Sequence, residues 1–321
     1  MTEQGIPGVA VIGAGLAGVI AARDLAAAGR GVHIVEKSRG AGGRMATRRT
    51  RDGLAFDHGA QYVRAHGADF AAEIAAWAAR GLAAPWGEGD RFVGVPAMNA
   101  PVKALASGMP LTVGTAVAAI EGVPGRWELA LADGGRLGPF AAVLVTAPAP
   151  QAAALLAPVA PALAEAAATA RYAPCLALML AFAPEALAPP CVPAQRPDHA
   201  SIAWIAEEAT KPGRAAGAER RVVVHATPGW SRAHLEETPD AVARSLLAEA
   251  APFLAARAAP LHAVAHRWRY ALVEAPVGRA CLWDAATGLG AAGDWCLGGR
   301  VEAAYDSGRA LARAVLGEGG R

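Results

Sequence analysis

Gly13, Gly15 and Gly18 stand in the spacing G-x-G-x-x-G, directly after the β-branched run Val9–Ile12. The first glycine permits a tight turn, the second lets a pyrophosphate approach bare backbone, and the third lets a following helix pack close to the strand. A helix is expected over residues 16–28, rich in Ala and Leu, with Gly29 at its C′ position. Its unpaired N–H groups and the positive end of its dipole would face the phosphates. A second apolar run, residues 32–35, ends in Glu36. That carboxylate can accept both hydroxyls of an adenosine ribose and would repel a 2′-phosphate, so the site suits FAD or NAD rather than NADP. Residues 288–293 repeat the glycine spacing, but Asp294-Trp295 follows in place of a helix, and that copy lacks the required context.

Acid–base and nucleophilic residues are sparse. His225, His234 and His266 have no Ser, Cys or acidic partner in a triad-like context and are read as structural or surface residues. Cys175, Cys191, Cys281 and Cys296 form no C-x-x-C pair and have no zinc-ligand spacing. No metal site is expected, and the thiols are read as reduced and buried. Strand alternation places Ile202, Trp204 and Ala206 on one face, and His266, Trp268 and Tyr270 on one face of another strand. Tyr62, Trp204, Trp268 and Tyr270 are the candidate pocket residues for a planar substrate, with ordinary core packing the alternative for the two tryptophans. Lys211-Pro212-Gly213-Arg214 reads either as a rim touching a substrate phosphate or as a solvated turn.

These residues need a sizeable scaffold. The 321 residues allow one large domain or two of ordinary size, and 54% hydrophobic against 18% charged excludes global disorder. A balance of 30 Lys+Arg against 28 Asp+Glu argues against a nucleic acid or anionic lipid partner. Residues 137–164 carry no charge, yet Pro139, Pro148, Pro150, Pro158 and Pro161 exclude a single membrane helix. Residues 1–8 lack a basic n-region, so a cytoplasmic protein is expected. Helices are expected over 68–84, from Thr238-Pro239 to about residue 256, and over Val301–Leu316. Strand-like runs cover 113–120, 176–182, 201–206, 221–227, 263–270 and 289–292.

After Glu36-Lys37 comes Gly42-Gly43-Arg44, and a Gly-Gly-Arg here is familiar from flavoproteins related to glutathione reductase and the amine oxidases. In them the arginine reaches the FAD pyrophosphate, a bidentate contact stronger than a lone Lys would give. More specifically, G-G-R-M-x-T-R-R, then F-D-H-G-A-Q-Y (Phe56 to Tyr62), A-W-I-A-x-E-x-x-K-P-G-R (Ala203 to Arg214), H-R-W-R-Y-A (His266 to Ala271) and G-D-W-C-x-G-G-R-V-E-x-A (Gly293 to Ala304) resemble the bacterial renalases. The matched segments span almost the whole chain. The resemblance implies FAD, read as non-covalent because Cys296 is taken as a buried free thiol rather than a point of flavin attachment, with Gly13, Gly15, Ala17, Gly18, Glu36, Lys37, Gly43 and Arg44 at its nucleotide end. It also implies Ala60, Gln61 and Tyr62 beside the ring, Val117 at the adenine, Asp294 at the ribityl chain, and Gly293 and Val301 at the last helix. Val63-Arg64 departs from the family, which often has an aromatic after the Tyr.

The expected architecture is α/β: a two-domain FAD-binding Rossmann-type fold with an antiparallel-sheet substrate domain, like p-hydroxybenzoate hydroxylase or the amine oxidases. Residues 1–62, 95–150 and 276–321 are assigned to the FAD domain, and 63–94 and 151–275 to the substrate domain. The resemblance implies oxidation of misreduced dihydronicotinamide isomers to NAD(P)+, with O2 giving H2O2. Hydride can pass directly to flavin N5 and no proton need be removed first, so no catalytic base is assigned. The alternatives are an amine oxidase or desaturase, or a flavin- or NAD-binding module without turnover. With only Lys37, Lys103 and Lys211 in the chain, the amine reading is the less favoured.

Overall fold

Five strands rich in β-branched and aliphatic residues lie parallel and side by side, because residues apolar on both faces can be buried only inside a covered sheet. The computed structural model describes residues 8–187, 194–214 and 218–317. The chain divides into two units, one of residues 1–43, 102–171 and 273–321, the other of 44–101 and 172–272.

In the first unit, β1 (Val9–Ile12), α1 (Leu16–Ala27) and β2 (Val32–Glu36) follow in order. The six-stranded sheet runs Leu282–Asp284, Leu289–Ala291, Ala142–Val145, β1, β2, Leu111–Val113. All pairs are parallel except the Leu282–Asp284 edge. β1 pairs with β2 on one side and with Ala142–Val145 on the other, with Ile12 opposite both Val35 and Val145. Strand order therefore reverses at β1, and the crevice at its carboxyl end is where such sheets take ligands. Helix α1 ends at Ala27, and Gly29 takes φ +79° just beyond it, as its C′ role demands. Gly114, at φ +69°, breaks the expected 113–120 run into Leu111–Val113 and Val117–Val123. The second of these belongs to an antiparallel three-stranded sheet with Arg126–Leu131 and Arg136–Phe140. Val301–Leu316 is helical as expected and packs on α1.

The second unit is a five-stranded sheet in the order Ala194–Gln195, Ile202–Glu207, Arg220–Ala226, Arg171–Phe182, His262–Ala275. One face carries Leu176, Leu178, Leu180, Val222 and Val224, packed against Val242, Leu246, Ala250 and Leu254. Those four lie on the helix Pro239–Leu254, whose Thr238 cap accepts the Ala241 N–H at 3.3 Å. On the other face Met179, Ala181 and Val223 meet Leu54 and Phe56. A bulge between Ile202 and Trp204 corrects the simple alternation read from the sequence. Ile202 and Ile205 both join the helix-side core, while Trp204 lies opposite His225 in the register.

The helix expected over 68–84 stops at Ala79. Gly81 (φ +70°) closes it, its N–H bonding to Ala78 O and that of Leu82 to Trp77 O, and Ala83–Pro85 is a strand. The units also divide elsewhere than the expected domains. Residues 44–62 lie in the second unit, where Phe56 enters its core. Residues 151–171 lie in the first, where the helix Pro161–Ala168 packs beside Leu282–Asp284. Among the described residues no helix is long and apolar enough to cross a membrane.

Candidate functional site

The turn after β1 is built by close approach. A Cβ on Gly18 would come within 2.5 Å of Thr146 Oγ1 and collide with Gly13 O, so only glycine lets α1 sit against the strand. Gly15, the N-cap of α1, is different: a Cβ there would meet nothing nearer than Gly43 Cα at 3.9 Å. Gly43 faces it at φ +53°. The mouth of α1 is thus bare backbone, with no side-chain cap and no acid in the first turn. Such a mouth accepts a pyrophosphate, which would supply the acceptors its N–H groups lack. Ala17 is buried, and Gly308 of the last helix lies so close to its carbonyl that a Cβ would clash.

Glu36 is 6% exposed, and its carboxylate takes the N–H of Ala14 and of Ser38, each at 2.7 Å. These bonds aim the carboxylate along the turn and leave each oxygen a further lone pair for a ribose hydroxyl. Gly114 and Thr115 donate to the carbonyls of Ser38 and Glu36, which carries the chain from the end of β2 to Val117. Lys37 is exposed and donates to Gln151 at 3.0 Å. At the other glycine-rich approach the Gly293 N–H bonds to Ser307 Oγ at 3.0 Å, and Asp294 is buried. Val301 opens the last helix, whose first turn already holds the buried Glu302. The residues of this unit fit the dinucleotide half of FAD on the bare α1 mouth and the Glu36 carboxylate.

In the second unit Gln61 is the hub. Its Oε1 accepts from Trp204 Nε1 at 3.2 Å and from Lys211 Nζ at 3.1 Å. Its Nε2 donates to the carbonyls of Asp57 and Gly59. Bonded on both sides, the amide has one orientation. Tyr62 and Trp86 flank Trp204 at ring distances of 5.8 and 6.1 Å. Trp268 belongs to a neighbouring group, donating to His58 O at 2.9 Å with its ring against His58 and His266. Tyr270 instead contacts Tyr172. Arg44 lies over Tyr172 and donates to Ala271 O, while Ala60 donates its N–H to Arg44 O. The four candidate pocket residues therefore fall in three groups, of which Tyr62 and Trp204 share one.

Lys211 and Arg214 correct the expectation of a rim or solvated turn. The Lys211 side chain is fully buried, 2.9 Å from Glu208 and 3.5 Å from Asp57. The Arg214 guanidinium, 3% exposed, clasps Asp57 and donates to Gly94 O at 2.7 Å. Burial opposes ionisation of Asp57, yet Lys211, Arg214 and hydrogen bonds from Thr47 and the Met98 N–H hold its carboxyl below the usual range. Burial pushes Glu208 up, and the nearby Asp57 charge adds to that despite the two cations. Burial also drives His58 down to about 3, helped by His266, Arg48 and His225, and drives His225 and His266 down to about 4, helped by Lys211 and by Arg48 respectively. All three imidazoles are neutral at pH 7. No metal-holding cluster occurs among the described residues.

Sequence reasoning missed the acids of this cluster. Asp57 lay inside a quoted motif without a role, and Glu208 and Lys211 stand at i, i+3, a spacing that pairs charges on one turn. The Cys175 and Cys296 thiols are buried and pushed up to about 12, Cys281 is half-buried, and Cys191 lies outside the described residues.

Residues 11–77 match an NAD(P)-binding Rossmann-like domain. Solved structures share the fold over nearly the full length of both chains. A protein named as a protoporphyrinogen oxidase from Exiguobacterium sp. 255-15 is 13% identical over 98% of this chain and 99% of its own, at TM-score 0.70. A double mutant of putrescine oxidase is 12% identical over 97% and 99%, at 0.67. An oxidoreductase from Methanosarcina mazei is 15% identical over 94% and 99%, at 0.65. Residues 78–316, well over half the chain, match the flavin-containing amine oxidoreductases, a family that implies a flavin cofactor. With a dinucleotide-binding turn in one unit and a pinned amide among aromatic rings in the other, the chain belongs to the flavin-containing amine oxidoreductase family, the FAD-dependent oxidoreductases.

Proposed function

We propose that this chain is an oxidase, with non-covalent FAD, that returns misreduced dihydronicotinamide isomers, 2- or 6-dihydro-NAD(P), to NAD(P)+. The net reaction is dihydronicotinamide + O2 + H+ → NAD(P)+ + H2O2. Bound FAD supplies a two-electron acceptor that O2 regenerates. Gly15 and Gly43 would admit its pyrophosphate and Glu36 its ribose, with Asp294 and Val301 at the second glycine-rich approach.

The observation that carries the reading is the chemistry of the Gln61 group. The Gln61 amide is bonded on both sides, and the imidazoles of His58, His225 and His266 are neutral. Asp57 is paired with Lys211 and Arg214, and Glu208 with Lys211 at 2.9 Å, its second oxygen lying 3.6 Å from Arg214 without a hydrogen-bond partner. A substrate that must lose a proton before oxidation finds no poised base in this group. A dihydropyridine needs none, because loss of hydride alone restores an aromatic cation. Orientation by Tyr62, Trp204 and Gln61 would then carry most of the rate.

An amine substrate remains the second reading, favoured by Lys211. That lysine is buried in the aromatic group rather than spent on a surface turn, which removes the argument against an amine drawn from the sequence. Oxygen uptake with defined dihydronicotinamide isomers and with a series of amines tests the choice. The expected result is one H2O2 and one NAD(P)+ per isomer consumed, with no uptake on amines. Uptake on amines alone would establish the second reading.

A further inference from the structure

We infer that Arg91 and Arg196 are specificity-determining residues, selecting a substrate that carries a phosphate group beside its flat ring. The inference rests on the planar-substrate reading above and names the charge that the substrate must bear.

Three cations lie over the aromatic rings of this group. Arg91 is 5.1 Å from the Tyr62 ring centre, Arg196 is 4.9 Å from that of Trp204, and Lys211 is 5.6 Å from that of Trp86. Lys211 is neutralised by Asp57 and Glu208. The two arginines are not: among the described residues neither forms an ion pair. Arg196 donates to the Tyr62 hydroxyl at 2.7 Å, and Arg91 keeps a buried Nε with no hydrogen-bond partner. The nearest acid in sequence, Asp90, is paired with Arg64 at 2.6 Å.

Two consequences follow for the ligand. An ammonium ion binds aromatic residues through the negative faces of their rings. Here the protein's own cations already lie over those faces, and a cationic amine would meet two uncompensated guanidinium groups. A phosphate meets the reverse situation. Guanidinium donors match its oxygens in fork geometry, and an orphaned buried Nε gains the acceptor it lacks. The ring of such a substrate would lie by Tyr62 and Trp204, with its phosphate between Arg91 and Arg196.

Calorimetric titration of the flavin-loaded protein with nicotinamide mononucleotide, nicotinamide riboside and inorganic phosphate tests this. The first two ligands differ only by the phosphate. The mononucleotide is expected to bind at least about tenfold tighter than either other ligand. Arg91→Gln and Arg196→Gln should each remove about tenfold of that advantage, leaving riboside affinity and the melting temperature in place, while Arg→Lys at either position restores part of it. Equal affinity for mononucleotide and riboside, equal losses on both ligands, phosphate binding as tight as the mononucleotide, or no binding of any of them would overturn the inference. If the mononucleotide advantage holds but no dihydronicotinamide isomer is oxidised, the proposed reaction fails while the charge selection stands.

Discussion

A lysine with no exposed side-chain surface survives only if its charge is answered at short range, because the cost of removing it from water is several kcal/mol. Lys211 meets that condition with Asp57, Glu208 and the Gln61 carbonyl. Lys211→Met should therefore destabilise the protein by about 3–5 kcal/mol in urea unfolding, since it strands buried carboxylates. Adding Glu208→Leu should recover part of that loss, a coupling that two independent surface residues would not show. The neutral histidines make a second prediction. An unfolded chain takes up protons on histidine from about pH 6.5 downward, whereas folded His225 and His266 resist until about 4 and His58 until about 3. The unfolded state then binds more protons, so stability falls as pH drops from about 6.5 to 4. Thermal melts across that range should show the fall, and His58→Gln should flatten it. Lysine is ordinarily a surface residue, and the buried Lys211 is bonded to Gln61, 150 positions away, which no local pattern reveals.

At the level of elements, the strand–turn–helix that opens the nucleotide half was fully legible. Its signals are local: a β-branched run, three spaced glycines, an Ala- and Leu-rich helix and a C′ glycine. The three glycines nevertheless do different work. Gly15→Ala should leave stability within about 0.5 kcal/mol, since its Cβ makes only an ordinary contact with Gly43 Cα, yet weaken flavin retention by narrowing the mouth. Gly18→Ala should cost about 1–3 kcal/mol or prevent folding, because its Cβ collides with the strand turn. Melting temperature and flavin content on the two variants separate these roles. Illegible elements had non-local causes. The bulge at Ile202/Trp204 is imposed by pairing with Arg220–Ala226, so alternation alone put Ile202 and Trp204 on one face. The 68–84 reading ran past Gly81 because the Ala residues on either side favour helix, and the pairing of Ala83–Pro85 with Phe92–Gly94 overrides that propensity.

For the whole molecule, each unit is assembled from separated stretches of chain, three in one and two in the other. The family resemblance could foresee a discontinuous plan but could not locate its joints. The segment after Gly43 follows Phe56 into the sheet core of the second unit, and a crossing of that kind is set by packing. Family membership fixes the redox class, and the absence of a poised base around Gln61 supports a substrate that gives up hydride without prior deprotonation. The most direct test mixes the flavin-loaded protein anaerobically with 2- and 6-dihydro-NAD(P). The account predicts that one of these isomers bleaches the flavin colour, which returns when oxygen is admitted, with NAD(P)+ as product. Flavin that keeps its colour with both isomers, or that is bleached only by amines, would contradict it.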